Sequence, residues 1–182
     1  TKVATTDFYK NVNGSGLGDT GNDMLIYGGK LYIVMNVSSY LEVAEASSAK
    51  SIKKIQLKNS SSQPLVPRNI ISFKNHVFVS CWDGSVQVID TTTLEITKSI
   101  KVGANPEQMA IYGNELYVTN SGGITPGFDS TISVVDLNTL TETSKIVVGT
   151  NPTTITADNA GNIYVGYIGN YGNIHPGLAK VN

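Results

Sequence analysis

Residues 106–123 read PEQMAIYGNELYVTNSGG, and after a loop residues 131–149 read TISVVDLNTLTETSKIVVG. Each apolar run is short, rich in β-branched and aromatic side chains, and closed by Gly, Asn or Asp, the pattern of strands divided by tight turns. Strands are expected at 108–112, 115–119, 131–137 and 143–148. Tyr112-Gly113-Asn114 supplies the first hairpin turn, because Gly and Asn take positive φ at little cost. Asp136-Leu137-Asn138-Thr139-Leu140 forms the later one, with the Asp136 carboxylate expected to accept backbone N–H groups.

The same text recurs along the chain. Leu31, Val77, Leu116 and Ile163 share one slot, each followed by an aromatic residue: Tyr32, Phe78, Tyr117 and Tyr164. Glu45, Asp90 and Asp136 share another, as do Ile55, Ile100 and Ile146, and both sets recur at 45 and 46 residues. A period of that size, made of four short strands, predicts an all-β fold: a β-propeller of about four blades, each of four antiparallel strands. The blades fall at 21–63, 66–104, 105–150 and 151–182. Ile132, Val134 and Val135 are apolar on both faces of one strand, as a sheet sandwiched between two others requires. Residues 177–182 match a third strand, so the last unit is expected to lack its fourth. Residues 1–12 are expected to be a strand completing another blade, either in a larger ring of which this is a segment or in a closed four-bladed one.

Composition narrows the function classes. Lys and Arg number 13 against 14 Asp and Glu, a net charge of -1, so the basic stripe that nucleic acid or an anionic membrane would need is absent. Cys81 is the single cysteine, leaving no internal disulfide or thiol pair. No apolar run approaches a transmembrane helix, and no signal peptide is present. Because the chain opens on Thr1, it is expected to be a processed or trimmed piece, with any export signal or lipid anchor lost.

In a meander of four strands, the start of the inner strand and the loop between the second and third strands emerge on one rim. Polar pairs stand at the four inner-strand starts: Asn22-Asp23, Arg68-Asn69, Glu107-Gln108 and Thr153-Thr154. The loops over the same rim vary most in length and carry Tyr40, Trp82, Phe128, Tyr171 and His175. Aromatic area above hydrogen-bonding groups is the composition of a ligand platform, with Trp82 expected as its exposed anchor. The alternative is that these rings pack the loops onto the blades.

Familiar catalytic patterns fail on context. Gly16-Leu17-Gly18-Asp19-Thr20-Gly21 satisfies GxGxxG but leads into a strand, not a helix, which argues against a dinucleotide site. Residues 19–23 (DTGND) lack the remaining ligands of a calcium loop. His76 and His175 have no zinc spacing, and there is no GxSxG. Asp23, Asp83, Glu107 and Asp129 fall near the expected rim, the one route left to an assembled carboxylate site.

Leu116-Tyr117-Val118-Thr119-Asn120, Val134-Val135-Asp136 and Val148-Gly149 with Asn151-Pro152 resemble the YVTN-type propeller repeat of bacterial surface proteins over essentially the whole chain. Residues 17–36 (LGDTGNDMLIYGGKLYIVMN) and ELYVTNSGG are similar to the seven-bladed, BtuG-like surface lipoproteins that capture cobalamin for an outer-membrane transporter. That resemblance implies that the four units are part of a seven-bladed ring, with a closed four-bladed propeller as the alternative, and that the protein is a non-enzymatic, anchored binder on the outer face of the bacterial outer membrane. Its ligand would be a corrinoid, bound as cargo and not as a cofactor, and its partners that small molecule and a transporter. Two further readings stand beside it: a propeller enzyme such as a lactonase or quinoprotein-like oxidoreductase subunit, and a structural surface protein that binds protein or glycan.

Overall fold

The computed structural model describes residues 2–123 and 127–182. The chain divides into two compact units, one ending at Pro67 and one running from Arg68 to Asn182.

The first unit holds a short helix α1 (Phe8–Asn13) and one four-stranded antiparallel sheet, β1 (Gly21–Tyr27), β2 (Lys30–Met35), β3 (Tyr40–Glu45) and β4 (Ser51–Gln56), in the order β1-β2-β3-β4. The helix corrects the expectation of a strand over residues 1–12. FYKNVN has strand-like composition, but its contacts decide otherwise: the Asn13 amide donates to Ala49 O at 2.8 Å and its oxygen accepts from Ser51 N at 2.8 Å. Tyr9 is the buried residue of the helix, and Gly14 closes it with a φ of 72°.

The second unit repeats the sheet. β5 (Pro67–Phe73), β6 (His76–Cys81), β7 (Ser85–Asp90) and β8 (Ile96–Lys101) form one meander. The next is β9 (Pro106–Tyr112), β10 (Glu115–Asn120), β11 (Thr131–Asp136) and β12 (Thr141–Val147). The last has three strands, β13 (Pro152–Ala157), β14 (Ile163–Tyr167) and β15 (Gly177–Val181). Inner strands begin two or three residues earlier than the apolar runs suggest, so the polar pairs lie within the strands.

Turn chemistry follows the sequence. Asp136 Oδ1 accepts from Asn138 N at 2.7 Å and Thr139 N at 2.9 Å, and Asp90 Oδ1 does the same for Thr92 N and Thr93 N. These bonds hold both carboxyls below the ordinary carboxylate value. Two-sided burial produces two apolar layers in the second unit. Phe78, Val86 and Val88 pack against Met109, Leu116 and Val118, while Tyr117, Ile132 and Val134 pack against Ile163 and Val165.

Candidate functional site

In the second unit the polar pairs knit neighbouring sheets together. Arg68, at the start of β5, donates through Nε to Oε2 of Glu107 on β9 at 2.9 Å, an ion pair with side-chain exposures of 26% and 14%. The other oxygen of Glu107 accepts the Trp82 indole N–H at 2.9 Å, and the Arg68 guanidinium carbon lies 4.6 Å from the Trp82 ring centre. One carboxylate therefore holds a cation and an indole face to face. Beneath them the Ser80 hydroxyl donates to Glu107 O at 2.6 Å and accepts from Asn69 N at 3.1 Å, while Asn69 Oδ1 accepts from Met109 N at 3.1 Å. Gln108 is exposed, and its backbone oxygen accepts from the Thr119 hydroxyl at 3.0 Å.

Trp82 is thus half-buried, its N–H engaged and its ring shared with Arg68. The equivalent position is also hydrogen-bonded elsewhere: within the first unit Asn36 Nδ2 donates to Pro67 O at 2.7 Å, and in the second the Ser121 hydroxyl donates to Asn105 O at 2.9 Å. Trp82 thereby reaches the inner strand of the next sheet, whereas Ser121 returns to the segment that leads into the inner strand of its own. Ser80 contributes to the Glu107 cluster without having stood out in the sequence; its only signal was a hydroxyl inside an otherwise apolar strand, HVFVSC.

The loops present a second group. Phe128 and Tyr171 meet with ring centres 6.2 Å apart at 57°. Tyr171 is 68% exposed and Ile174 is 43% exposed. Asn170 makes this loop rigid, its Oδ1 accepting from Gly172 N at 3.0 Å and Ile174 N at 2.8 Å. Its backbone N–H closes the same turn onto Ile174 O at 3.1 Å. His175, in the same loop, is exposed. Ile174 was legible as the one large apolar residue inside the polar stretch GNYGNIHPG, and the sequence reading passed over it. Residues 124–126 of the loop before Phe128 lie outside the described residues.

Asn22 and Asp23 lie at the start of β1 in the first unit, Asn22 exposed and Asp23 half-buried, with Asp23 Oδ1 accepting from Met24 N at 2.8 Å. Tyr40 needs correcting. Expected on a loop over the rim, it opens β3, is 7% exposed and packs with Ile33 and Met35. Its position opposite Met35 turns the ring into the sheet's apolar face.

The carboxylates expected near the rim are tied to local structure. Asp83 Oδ1 accepts from the Ser85 hydroxyl at 2.6 Å, and Asp129 Oδ1 accepts from Ser130 N, Thr131 N and the Thr131 hydroxyl. Burial pushes the Cys81 thiol well up, the state of an inert core cysteine. Among the described residues no cluster of three His, Cys, Asp or Glu side chains is arranged to hold a metal, and no helix is long and apolar enough to cross a membrane.

No protein-family model matches the chain, and no curated protein does. Solved structures do. It is similar to a Kuenenia stuttgartiensis hydrazine synthase chain at 18% identity and a TM-score of 0.77, over 92% of this chain and 48% of that one. It is similar to the computationally designed Ika4 protein at 11% identity and a TM-score of 0.67, over 92% and 94% of the two chains. A third match is the WD40 β-propeller domain of Doa1, at 13% identity and a TM-score of 0.61, over 76% of this chain and 44% of that chain. The fold is a β-propeller. The chain spans about half the length of the hydrazine synthase chain it matches. At these identities the likeness carries fold and not chemistry.

Proposed function

We propose that this propeller is a non-enzymatic binding module of the bacterial cell surface, which holds a corrinoid on its loop rim for handover to an outer-membrane transporter. The observation that carries the binding reading is the Phe128–Tyr171 pair, two rings from adjacent blades held together on loops with Tyr171 largely in solvent. An aromatic ring braced by an Asn170-stapled turn is pre-organised, so little side-chain freedom is lost when a flat ligand covers it. The corrinoid and the surface location rest on the resemblance carried by residues 17–36 and 116–120. A non-enzymatic role is supported by the carboxylates of the rim, each committed to a turn, a strand start or the Arg68–Trp82 cluster.

The test is a titration of the purified chain with cyanocobalamin, followed by visible absorbance and calorimetry, beside lactone-hydrolysis assays and a metal analysis. Saturable binding of one corrinoid without turnover is the expected result. Absence of binding together with lactone turnover would replace this reading by the enzymatic one.

A further inference from the structure

The third residue of β3, β7 and β11 is polar and buried: Glu42, Gln87 and Ser133. Register sets them opposite Ile33, Val79 and Val118, so they share one slot of the repeat. In the second unit the protein satisfies this slot itself. Gln87 Nε2 donates to the Ser85 and Ser99 hydroxyls at 2.7 and 2.8 Å, and the Ser133 hydroxyl accepts from Asn120 Nδ2 at 3.0 Å and Gly103 N at 3.3 Å.

In the first unit Glu42 is only half satisfied. Its side chain is 0% exposed; Oε1 accepts from the Ser51 hydroxyl at 2.5 Å, while Oε2 is buried with no hydrogen-bond partner. Two residues away, on the same face of β3, the Tyr40 hydroxyl is also buried without a partner. Burial pushes that hydroxyl up, and the charge beside it is Glu42. Tyr9 of α1 covers the cluster: burial raises its hydroxyl too, whose hydrogen-bonding neighbours are Ser51 and Glu42. Lys54 stands opposite Glu42 on β4, yet it is exposed, lies 5.2 Å from the Tyr40 ring centre and forms no ion pair with Glu42 among the described residues.

We propose that Glu42 Oε2 and the Tyr40 hydroxyl, with the hydroxyls of Tyr9 and Ser51, hold a small monovalent cation, sodium or potassium, beneath α1. A buried charge is stable when it is paired or binds a cation, and this one has no pair. Every group around it is an oxygen, as a hard cation requires. One carboxylate among three neutral hydroxyls is balanced by a single positive charge, whereas a calcium site gathers several carboxylates. Through Tyr9 the ion would fasten the helix to the first sheet, in addition to the bonds of Asn13.

The test is thermal unfolding of the full chain in sodium, potassium or choline chloride at one ionic strength, choline being too large to enter. Replacing choline by about 100 mM sodium or potassium should raise the midpoint by about 5 °C and slow hydrogen exchange of the α1 amides. Glu42→Gln places in the slot the residue that the second blade uses, so it should fold and lose both responses. Tyr40→Phe removes one oxygen and should weaken the response about tenfold in cation concentration. Equal midpoints and equal exchange in the three salts would overturn the proposal, leaving a water molecule or a proton at Oε2. A response that survives Glu42→Gln would overturn it as well. Should that variant fail to fold, Tyr40→Phe decides alone, and an unweakened response there sinks the site.

Discussion

Trp82 Nε1 donates to Oε1 of Glu107 across 2.9 Å, although 25 residues separate them in sequence. The bond fixes the indole that Arg68 covers, so the largest aromatic of the rim is first a fastening between neighbouring blades. Glu107→Ala should cost about 2–4 kcal/mol, since it leaves Arg68 and the indole N–H without their shared acceptor. Trp82→Phe should cost about 1–2 kcal/mol, the hydrogen bond and part of the stacking. Urea unfolding measures both; unchanged midpoints would return Trp82 to the role of an exposed ligand anchor.

Tyr171 offers the opposite case. Its ring is 68% exposed, so Tyr171→Ala should leave the unfolding midpoint unchanged. Corrinoid affinity should fall by about thirtyfold, near 2 kcal/mol, if the ring is a binding anchor. Intact affinity in the variant would remove the Phe128–Tyr171 pair from the site.

Gly103 and Asn120 are coupled by space. A Cβ at Gly103 would stand 2.3 Å from Asn120 Cγ, and Asn120 Oδ1 accepts from Gly103 N at 3.1 Å. Gly103→Ala should destabilise by about 1–3 kcal/mol through overpacking. Asn120→Gly removes the side-chain atoms, Cβ included, that crowd the methyl group, so the double variant should be more stable than the sum of the two losses allows. Strict additivity in denaturant unfolding would refute the contact.

Asp136 should shape the acid limb of stability. Its folded carboxyl lies below the ordinary value because Thr139 N and Asn138 N donate to it. The stabilisation is therefore present above the unfolded value of about 3.9 and lost as pH falls through the folded one. Asp136→Ala should lower the thermal midpoint at neutral pH, and the gap should close towards pH 2. A gap constant across that range would rule out the charge-assisted turn.

Tyr117 should be among the last tyrosines to ionise. Burial, then the hydrogen bond to Glu115, pushes its hydroxyl up to about 12. Its contribution to stability is complete below the unfolded value of about 10 and lost as pH rises through the folded one. Glu115→Gln should bring its transition, followed by ultraviolet absorbance, to lower pH; an unmoved transition would show that burial acts alone.

Within a blade, nearly everything was legible from sequence. The strands, the Gly113 and Asp136 turns and the recurring slots of Leu116 and Ile146 depend on neighbours in sequence, since each hairpin pairs with the run beside it. The helix at Phe8–Asn13 was not legible, because Phe, Tyr and Val favour a strand until Asn13 and Tyr9 find their places on the first sheet. The rim was legible as a set of residue types and not as contacts. Which side of β3 Tyr40 faced, that Glu107 joins Arg68 to Trp82, and that Phe128 meets Tyr171 were decided by tertiary structure. The physical reason is that the repeat fixes the pairing inside each sheet, whereas contacts between blades join residues whose spacing in sequence carries no period.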